Sequence, residues 1–550
     1  MRSVFAGAVM FALFGCGGGG ERDPYGDLSC ANLPTNPHLF DISDYESRRI
    51  SSGDRLSAYQ WHLNNFKQKT GAGKNDYSSS AIKEGADINV KPAWDSGYSG
   101  NNVVIAIVDN GTDITHPDLA PNYDANLSWN YMTNQSAPYP VATTVKCAHG
   151  TATAGIAAAK GGNDGAIGVA PNAKIAALNL SWDCGDPDQI LDADVADALS
   201  TAGTRTRGNP PIDVFSNSWG CRSPVGCLDQ TSEDKIIEGA NSGRGGKGAI
   251  YLFAAGNDRA ANFRSDYAPH LSLFEVLPIA ALDAEDNYAY YSNPGANLLV
   301  SAYGGYGDGE KPGIMTTDIV GCNTGFNGGY FMPHQRNNFG GFTARMNGTS
   351  AATPMAAGAA ALMLEANPNL TWREVRYILA TTARKNDTSD SDWKQNGANP
   401  KLWVNHNYGF GAIDVFKAVQ KASGFAPFGM LWEEGFASLM NTNKINFTAP
   451  SIRLIEYTSV NVKFNAIAAN CRFDLKLTSP SGTHALFVKN DFDAPSPMLL
   501  MLTSGGYEFG TPRFLDEDPN GEWTLTTENP TPCSVAPSVK QWTIIVKGRS

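Results

Sequence analysis

Residues 347–358, which read Asn-Gly-Thr-Ser-Ala-Ala-Thr-Pro-Met-Ala-Ala-Gly, constrain the fold of this chain more than any other segment. They place Ser350 after a Gly-Thr turn and at the start of a helix of small residues, which can lie buried against its neighbours. A serine hydroxyl becomes a nucleophile when a base takes its proton and N–H groups stabilise the oxyanion. A helix N-terminus offers unpaired N–H groups and a positive dipole end. Taken alone, the segment fits a capped core helix equally well.

Three further segments supply the groups that serine chemistry needs. Residues 103–109 form a continuous apolar run that ends on Asp109, as a buried parallel strand would. His149 opens a second helix of small residues, and a buried strand over 249–257 ends on Asn257. Catalytic groups in open α/β sheets gather at the carboxyl ends of strands, where Asp109 is expected. A carboxylate, an imidazole, a serine and an amide serve together in acyl transfer, although singly each has an ordinary structural use.

The order of these groups along the chain, Asp then His then Ser, is that of subtilisin. Three motifs resemble the signatures of subtilisin-like serine proteases: Val-Asp-Asn-Gly-Thr-Asp-Ile-Thr-His-Pro-Asp-Leu at 108–119, His-Gly-Thr at 149–151 and Asn-Gly-Thr-Ser-Ala-Ala-Thr-Pro at 347–354. The resemblance covers roughly residues 54–425 and is closest to the kexin and furin branch. Segments similar to that branch are Gln-Trp-His-Leu (60–63), Ser-Asn-Ser-Trp-Gly (216–220), Gly-Arg-Gly-Gly-Lys-Gly-Ala-Ile-Tyr (243–251) and Tyr-Gly-Phe-Gly-Ala-Ile-Asp (408–414).

The resemblance implies a serine endopeptidase that cleaves polypeptides through an acyl-enzyme intermediate. It implies that Asp109 orients the imidazole, that His149 is first general base and then general acid, and that Ser350 is the nucleophile. It also implies that Asn257 donates a hydrogen bond to the oxyanion. The substrate-binding residues that it implies are Ser218, Trp219, Gly220 and Asp266.

The resemblance is weakest at the positions that set specificity. Kexins hold paired basic side chains with acidic residues, but this chain has Asn110, Lys146 and Asn293 at positions where that branch carries acidic ones. Asp266, which precedes Tyr267, is the remaining candidate for a carboxylate in the S1 pocket that receives the P1 side chain. We therefore expect a preference for a basic P1 residue without strict dibasic specificity.

Carboxylate chemistry and the resemblance together imply bound calcium (Ca2+), a hard cation that prefers oxygen ligands. In the kexin branch one site uses an early Asp, the Asp of the His-Pro-Asp-Leu motif and a loop after the catalytic His. The matching positions are the side chains of Asp54, Asp118 and Asp164 and the carbonyls of Ala166 and Gly168. Asp164 stands where the branch often has Asn, and each Asp could instead cap a turn.

Length and patterning divide the chain into two domains, because 550 residues are too many for a single core. For residues 54–425 we expect an α/β fold with a subtilisin-like doubly wound parallel sheet, including a helix over 371–383 opened by a capping box of Thr371 and Glu374. Residues 427–550 predict an all-β sandwich or jelly roll. They resemble the P domain that follows kexin-type catalytic domains, which implies a stabilising role. Their alternating runs lie at 454–464, 473–477 and 541–546.

Residues 1–16 predict a targeting segment that is not part of the fold. Arg2 precedes an apolar stretch over 4–14, which is too short to cross a bilayer but suits a secretory signal. It ends Leu-Phe-Gly-Cys, which resembles the lipobox of bacterial lipoproteins and predicts acylation of Cys16. An ordinary secretory signal with an incidental cysteine is the alternative. We expect an exported protein, either an outer-membrane lipoprotein of a bacterial cell envelope or an extracellular one.

Residues 17–53 are expected to form a linker, because they carry a glycine run and prolines but no long amphipathic pattern. Subtilisin relatives commonly fold with an N-terminal pro-domain, and a folded one does not fit this interval. We therefore expect the enzyme to fold unaided or with a separate chaperone protein, as some bacterial kexin-like proteases do. Arg48-Arg49 could instead mark the end of a short pro-segment.

Nine cysteines suit an oxidising compartment. If Cys16 carries the lipid, eight remain to form disulfides. The pairs expected from their places in the two domains are Cys471–Cys533, Cys221–Cys227, Cys147–Cys184 and Cys30–Cys322. A zinc site is the alternative, but no Cys/His spacing supports one.

A net charge of −12 argues against nucleic acid as a partner and suits cationic peptides or calcium. Two other classes of function stay open from the sequence. One is a catalytically inactive binding protein with a subtilisin-like fold, and the other is a lipid-anchored adhesin whose C-terminal domain binds a ligand. Labelling of Ser350 by a serine-directed fluorophosphonate separates an enzyme from both.

Overall fold

The structure is a computed structural model of the 550-residue chain. It describes residues 54–68, 82–140, 143–162, 165–180, 191–201, 212–220, 227–306, 311–321, 324–327, 341–467, 471–490, 496–531, 533 and 536–550. The predicted signal and linker, Arg48-Arg49 and the individual residues Asp164, Cys30, Cys184, Cys221 and Cys322 lie outside the described residues.

Seven parallel strands form the central sheet: β1 (Val104–Asp109), β2 (Trp129–Asn130), β3 (Lys174–Asn179), β4 (Val214–Asn217), β5 (Ile250–Ala254), β6 (Val276–Leu282) and β7 (Val300–Tyr303). Their order across the sheet is β2-β3-β1-β4-β5-β6-β7. Every residue of β4, β5, β6 and β7 is buried. Strands buried on both faces need continuous apolar runs, which the sequence supplies. The predicted parallel sheet is confirmed.

The helices that accompany the sheet are α1 (Lys91–Asp95), α2 (His149–Ala158), α3 (Asp192–Ala198), α4 (Gln230–Gly246), α5 (Thr349–Ala366), α6 (Trp372–Thr382) and α7 (Val415–Ser423). Short 3-10 helices span Arg55–Tyr59, Val145–Ala148, Arg259–Ala261, Ser265–Tyr267, Pro269–Ser272 and Gly325–Asn327. Two small antiparallel sheets pair β8 (Ile314–Thr317) with β9 (Phe342–Met346) and β10 (Lys394–Gln395) with β11 (Trp403–Val404).

Small side chains let α5 lie in the interior. It packs against α2, α7 and strands β4 to β7, and it is buried along its length as far as Leu364. Helix α6 begins with the predicted capping box. Glu374 N donates to Thr371 Oγ1 at 3.4 Å, and Thr371 N donates to Glu374 Oε2 at 2.7 Å. Both backbone groups would otherwise lack a partner at the helix start.

In its described residues, the C-terminal β region has two four-stranded antiparallel sheets and one helix. Its strands are β12 (Trp432–Ala437), β13 (Lys444–Phe447), β14 (Leu454–Phe464), β15 (Arg472–Thr478), β16 (His484–Val488), β17 (Tyr507–Thr511), β18 (Gly521–Thr531) and β19 (Val539–Arg549), with α8 (Ser496–Ser504). The sheet orders are β12-β19-β14-β17 and β13-β18-β15-β16. Residues of both sheets share one apolar core that includes Trp523 and Trp542. The predicted Cys471–Cys533 disulfide joins the start of β15 to the chain after β18.

The C-terminal β region packs directly on the part that holds the parallel sheet. Tyr507 Oη donates to the carbonyl of Tyr267 at 2.8 Å, and Thr511 Oγ1 donates to the carbonyl of Ala296 at 2.7 Å. Tyr267 and Ala296 also belong to the apolar core of the C-terminal β region. The two parts therefore share buried polar and apolar contacts. Among the described residues, no helix is both long and apolar enough to cross a membrane.

Candidate active site

The end of β1 and the start of α2 bring a carboxylate and an imidazole together. The Nδ1 atom of His149 lies 2.8 Å from Asp109 Oδ1 and 3.0 Å from Oδ2. The backbone N of Asn110 donates to Oδ1 at 2.8 Å, and Thr153 Oγ1 donates to Oδ2 at 3.3 Å, so the buried carboxylate is held on both sides. An ionised carboxylate favours the His149 tautomer with the proton on Nδ1, which leaves Nε2 able to accept a proton.

Gly150 lets α2 start this close to β1. A Cβ atom at this position would lie 2.2 Å from the carbonyl oxygen of Gly111 and 3.0 Å from Asp109 Cβ. The backbone N of Gly150 donates to Asn110 Oδ1 at 2.9 Å, and Asn110 Nδ2 donates to the carbonyl of Lys146. Asn110 therefore joins the loop after β1 to the turn before α2.

Ser350 is the second residue of α5. Gly348 precedes the helix with φ of +98°, a backbone conformation that side chains disfavour, and it aims the chain into the first turn. The Ser350 hydroxyl donates to the carbonyl of Ser218 at 3.0 Å, and the Ser218 hydroxyl donates to the carbonyl of Ser350 at 3.0 Å. The hydroxyl of Ser350 must leave this partner before it can donate to an imidazole.

The side chain of Asn257, which follows β5, is oriented by Thr349. Its Oδ1 atom accepts from Thr349 N and from Thr349 Oγ1, both at 2.9 Å. Its Nδ2 atom approaches the helix start, because a Cβ placed on Gly348 would lie 3.2 Å from Nδ2 and 3.5 Å from Ser350 N. Asn257 Nδ2 and Ser350 N therefore both lie near the position that a side chain on Gly348 would occupy.

A cleft opens beside these groups. Its walls include residues 218–220, residues 254–258, Arg264, Asn293 and Ser350. Ser218, Trp219 and Gly220, which the sequence predicts as substrate-binding residues, all line this cleft.

The structure does not place Asp266, the predicted carboxylate of the S1 pocket, in the wall of this cleft. Asp266 is fully buried and does not line the cleft. Its Oδ1 accepts from Arg264 Nε at 2.9 Å, its Oδ2 accepts from Arg264 Nη2 at 2.8 Å, and Oδ2 also accepts from Ala296 N at 2.7 Å. Asp266 therefore pairs with Arg264 of the same chain, whereas the sequence predicts that it pairs with a basic side chain of the substrate.

Asp258 is a carboxylate of this cleft that the sequence does not predict as a site residue. It lines the cleft directly after Asn257, is only partly buried, and forms no ion pair with any described residue. Burial raises the pKa of Asp258, and the N–H of Asn257 opposes this shift. The backbone N of Asp258 donates to Asn293 Oδ1 at 2.8 Å, so Asn293 supports the loop. In the sequence, the position of Asp258 directly after Asn257 is the one feature that could have identified it.

Two of the three predicted calcium carboxylates meet at one loop. Asp54 and Asp118 are almost wholly buried. A Cβ on Gly161 would lie 2.5 Å from Asp54 Oδ2, and one on Gly165 would lie 2.1 Å from Asp118 Oδ2. Ala166 N donates to Asp118 Oδ2 at 3.0 Å. Within the residues that the structure describes, no three His, Cys, Asp or Glu side chains cluster as metal ligands.

Cys147 and Cys227 are also disulfide-bonded. Their expected partners, Cys184 and Cys221, lie outside the described residues. These two pairings, and Cys30 with Cys322, stay predictions.

The parallel sheet with these groups at one edge defines a subtilisin-like α/β protein. The model of the subtilase family, peptidase family S8, matches residues 100–411, and the chain belongs to this family. It is accordingly a serine endopeptidase.

Individual relatives extend the similarity beyond the family match. The chain is 30% identical over 550 residues to neuroendocrine convertase 2 of Mus musculus, covering 96% of this chain and 79% of that protein. It is 31% identical over 461 residues to Furin-1 of Xenopus laevis, covering 80% of this chain and 54% of that protein.

Solved structures of a bacterial protease match most of the chain. The serine protease of Aeromonas sobria superposes with a TM-score of 0.74 at 25% identity, covering 95% of this chain and 100% of that one. The same protease in complex with its chaperone ORF2 gives a TM-score of 0.74 at 25% identity, covering 90% of this chain and 95% of that one.

Proposed function

We propose that this protease uses Ser350 as nucleophile, His149 as general base and acid, and Asp109 as the partner of the imidazole. The observation that carries the proposal is the 2.8 Å contact between His149 Nδ1 and Asp109 Oδ1. It favours the tautomer whose Nε2 can take the serine proton, and it stabilises the imidazolium that forms. Ser350 at the start of a buried helix adds N–H donors and a positive dipole end.

In the proposed first step, His149 Nε2 accepts the proton of Ser350 as Oγ attacks the carbonyl carbon of the scissile bond. Rotation of the hydroxyl away from Ser218 precedes this step. The oxyanion is stabilised by Asn257 Nδ2 and Ser350 N. His149 then gives the proton to the leaving amine, and a water activated in the same way hydrolyses the acyl-enzyme.

For specificity we propose a basic P1 residue that is held by Asp258. Asp258 is partly buried and pairs with no cation among the described residues, and such a carboxylate attracts a P1 ammonium or guanidinium more strongly than an exposed one does. Arg259 leaves the site open, because its guanidinium lies 4.0 Å from the ring centroid of Tyr288 and donates to Asn407 Oδ1 at 2.9 Å. Strict dibasic specificity does not belong to the proposal, since Asn110 and Asn293 carry no charge.

The experiment compares Ser350→Ala, His149→Ala and Asp109→Asn with the exposed control Ser242→Ala. Peptides that differ only at P1, with Arg, Lys, Gln or Met, report activity and selectivity together. We expect losses of about 10³-fold or more for the first two variants, because triad members act as a unit. Retention of more than a few per cent of wild-type turnover by either would contradict the assignment. Equal kcat/KM for Arg and Gln at P1 would contradict the basic preference alone.

We further propose that calcium binds between Asp54, Asp118 and the loop after α2, including Asp164 and the carbonyls of Ala166 and Gly168. Two buried carboxylates that point at glycine backbones fit a hard cation, because glycine lets the loop approach closely. Bound calcium would neutralise these carboxylates and fix the loop. The contact of Ala166 N with Asp118 ties the same loop to the carboxylate.

The domain division that we propose is a peptidase domain over 54–425 and a P domain over 427–550. The two antiparallel sheets and their shared apolar core support this division. The P domain would stabilise the peptidase domain through contacts such as Arg373 Nε to Glu456 Oε2 at 2.9 Å.

We propose export with the signal at 1–16 removed, and a lipid anchor on Cys16 as the only membrane attachment. The bonded state of Cys147, Cys227, Cys471 and Cys533 supports an oxidising compartment. A separate chaperone is part of the proposal, because the similar Aeromonas sobria protease was solved in complex with one. Mass spectrometry of the N-terminal peptide tests the anchor, and refolding of residues 17–550 alone tests the need for a chaperone.

A further inference from the structure

A buried ion pair between Arg264 and Asp266 lies at the wall of the cleft that contains Asp258, which is the proposed S1 pocket. Arg264 lines the cleft, whereas Asp266 does not. Their side chains are 1% and 0% exposed. Two hydrogen bonds of 2.9 and 2.8 Å join guanidinium to carboxylate in the bidentate geometry that makes such pairs strong. Burial alone would lower the pKa of Arg264, but the Asp266 carboxylate outweighs it and raises that pKa.

The C-terminal β region holds this arginine in place. Arg264 Nη2 also donates to the carbonyl of Leu486 in β16 at 2.6 Å. Asp266 is fixed from the other side by Ala296 N, and the carbonyl of Ala296 accepts from Thr511 Oγ1. The pair is therefore clamped between the pocket and β16 and β17, and its guanidinium is not free to move away from the carboxylate.

We infer that Arg264 is a specificity-determining residue, because it neutralises Asp266 and leaves Asp258 as the carboxylate available to a basic P1 side chain. The inference rests on the proposed function of this cleft as the S1 pocket. The charge of the pocket wall would then depend on the contact between Arg264 and Leu486 in the C-terminal β region. Burial raises the pKa of Asp266 even beside Arg264. Without the arginine, a P1 cation would be the partner that keeps Asp266 ionised, so the pocket would select such a cation more strongly.

The decisive comparison is between Arg264→Ala and the double variant Arg264→Ala/Asp266→Asn. Both lose the guanidinium, open the same volume and lose the contact with Leu486, and they differ only in the charge of residue 266. The readout is the ratio of kcat/KM for peptides with Arg and with Gln at P1. We expect this ratio to be about tenfold or more higher in the single variant than in the double one, since a partly desolvated carboxylate attracts a cation strongly. The double variant should keep the wild-type ratio.

The rate of Ser350 labelling by a small fluorophosphonate is the control for a merely structural effect. This reagent needs no P1 cation, so labelling rates should agree within about twofold between the two variants if only the pocket charge differs. Equal P1 ratios in the single and double variants, at equal labelling rates, would overturn the inference. That outcome would leave the proposed triad chemistry intact.

Asp258→Asn in the otherwise wild-type chain gives a second test that does not depend on a buried uncompensated charge. If Arg264 neutralises Asp266, this one change should remove the preference for Arg over Gln at P1. Retention of the preference would show that Asp266 serves the substrate after all and would overturn the inference. A wild-type enzyme with no preference for basic P1 residues would contradict the proposed specificity instead, and the Arg264→Ala pair would still report on Arg264.

Discussion

Gly150→Ala is the substitution whose effect the structure predicts most sharply. The new Cβ would lie 2.2 Å from the carbonyl oxygen of Gly111 and 3.0 Å from Asp109 Cβ. Ordinary van der Waals contacts of a Cβ begin at 3.4 Å, so the start of α2 must move by about 1 Å. The loop after β1 cannot yield easily, because Thr112 N donates to the carbonyl of Pro138 at 2.9 Å.

Because His149 directly precedes Gly150, this movement also shifts the imidazole in its hydrogen bond to Asp109. A displacement of about 1 Å along that bond stretches it from 2.8 Å toward about 3.8 Å, where it no longer holds the imidazole. Misplacement of catalytic groups by this amount costs about 10²-fold in rate. We expect kcat for Gly150→Ala to fall by about that factor, and overpacking to destabilise the fold by about 1–3 kcal/mol.

Steady-state hydrolysis of one peptide and thermal unfolding of the same samples measure both effects. Gly424→Ala is the matched control, because a Cβ there meets nothing within 4 Å, and it should leave kcat unchanged. A folded Gly150→Ala enzyme with kcat within threefold of wild type would refute the argument that this glycine sets the distance between β1 and α2.

Two further predictions concern stability. Chelation with EDTA should lower the unfolding temperature, because a cation that binds only the folded state stabilises it. Asp118→Asn should reproduce part of that loss. An unfolding temperature that changes with neither EDTA nor added calcium would exclude the metal. Burial lowers the pKa of His62 to about 3, whereas an unfolded histidine titrates near about 6.5. The unfolded state therefore binds a proton more readily than the folded state, and the free energy of unfolding should fall as the pH drops from about 6.5 toward 3. His62→Leu should reduce the slope of unfolding free energy against pH by up to about 1.4 kcal/mol per unit in that window, and an unchanged slope would contradict the role of His62.

The sequence is a good guide where one local rule decides the structure. Continuous apolar runs predict buried parallel strands, and β1 does end on Asp109. The capping box at Thr371 forms as its spacing predicts. In the C-terminal β region, the run over 454–464 coincides with β14, although residues 455–460 are all buried and do not alternate as predicted. These features depend on residues that are close in sequence, so the pattern contains the information.

The sequence is a poor guide where distant segments compete for one group. The charge of Asp266 is available to a substrate only if no other cation takes it, and Arg264 takes it with support from Leu486, 222 residues away. The resemblance to kexins points to Asp266 because it compares positions and not partners. The sequence does not indicate Asp258, because only the folded structure shows that this carboxylate lines the cleft and forms no ion pair with a described residue.

The central claim is that Ser350 is a nucleophile activated by His149 and Asp109. The most direct measurement is the reaction of the folded full chain with a fluorophosphonate, followed by mass spectrometry of the modified peptide. We predict a single adduct on Ser350, formed with a rate that falls by several orders of magnitude in His149→Ala and is zero in Ser350→Ala. An unmodified Ser350 in folded wild-type protein, or an adduct whose rate does not depend on His149, would contradict the claim.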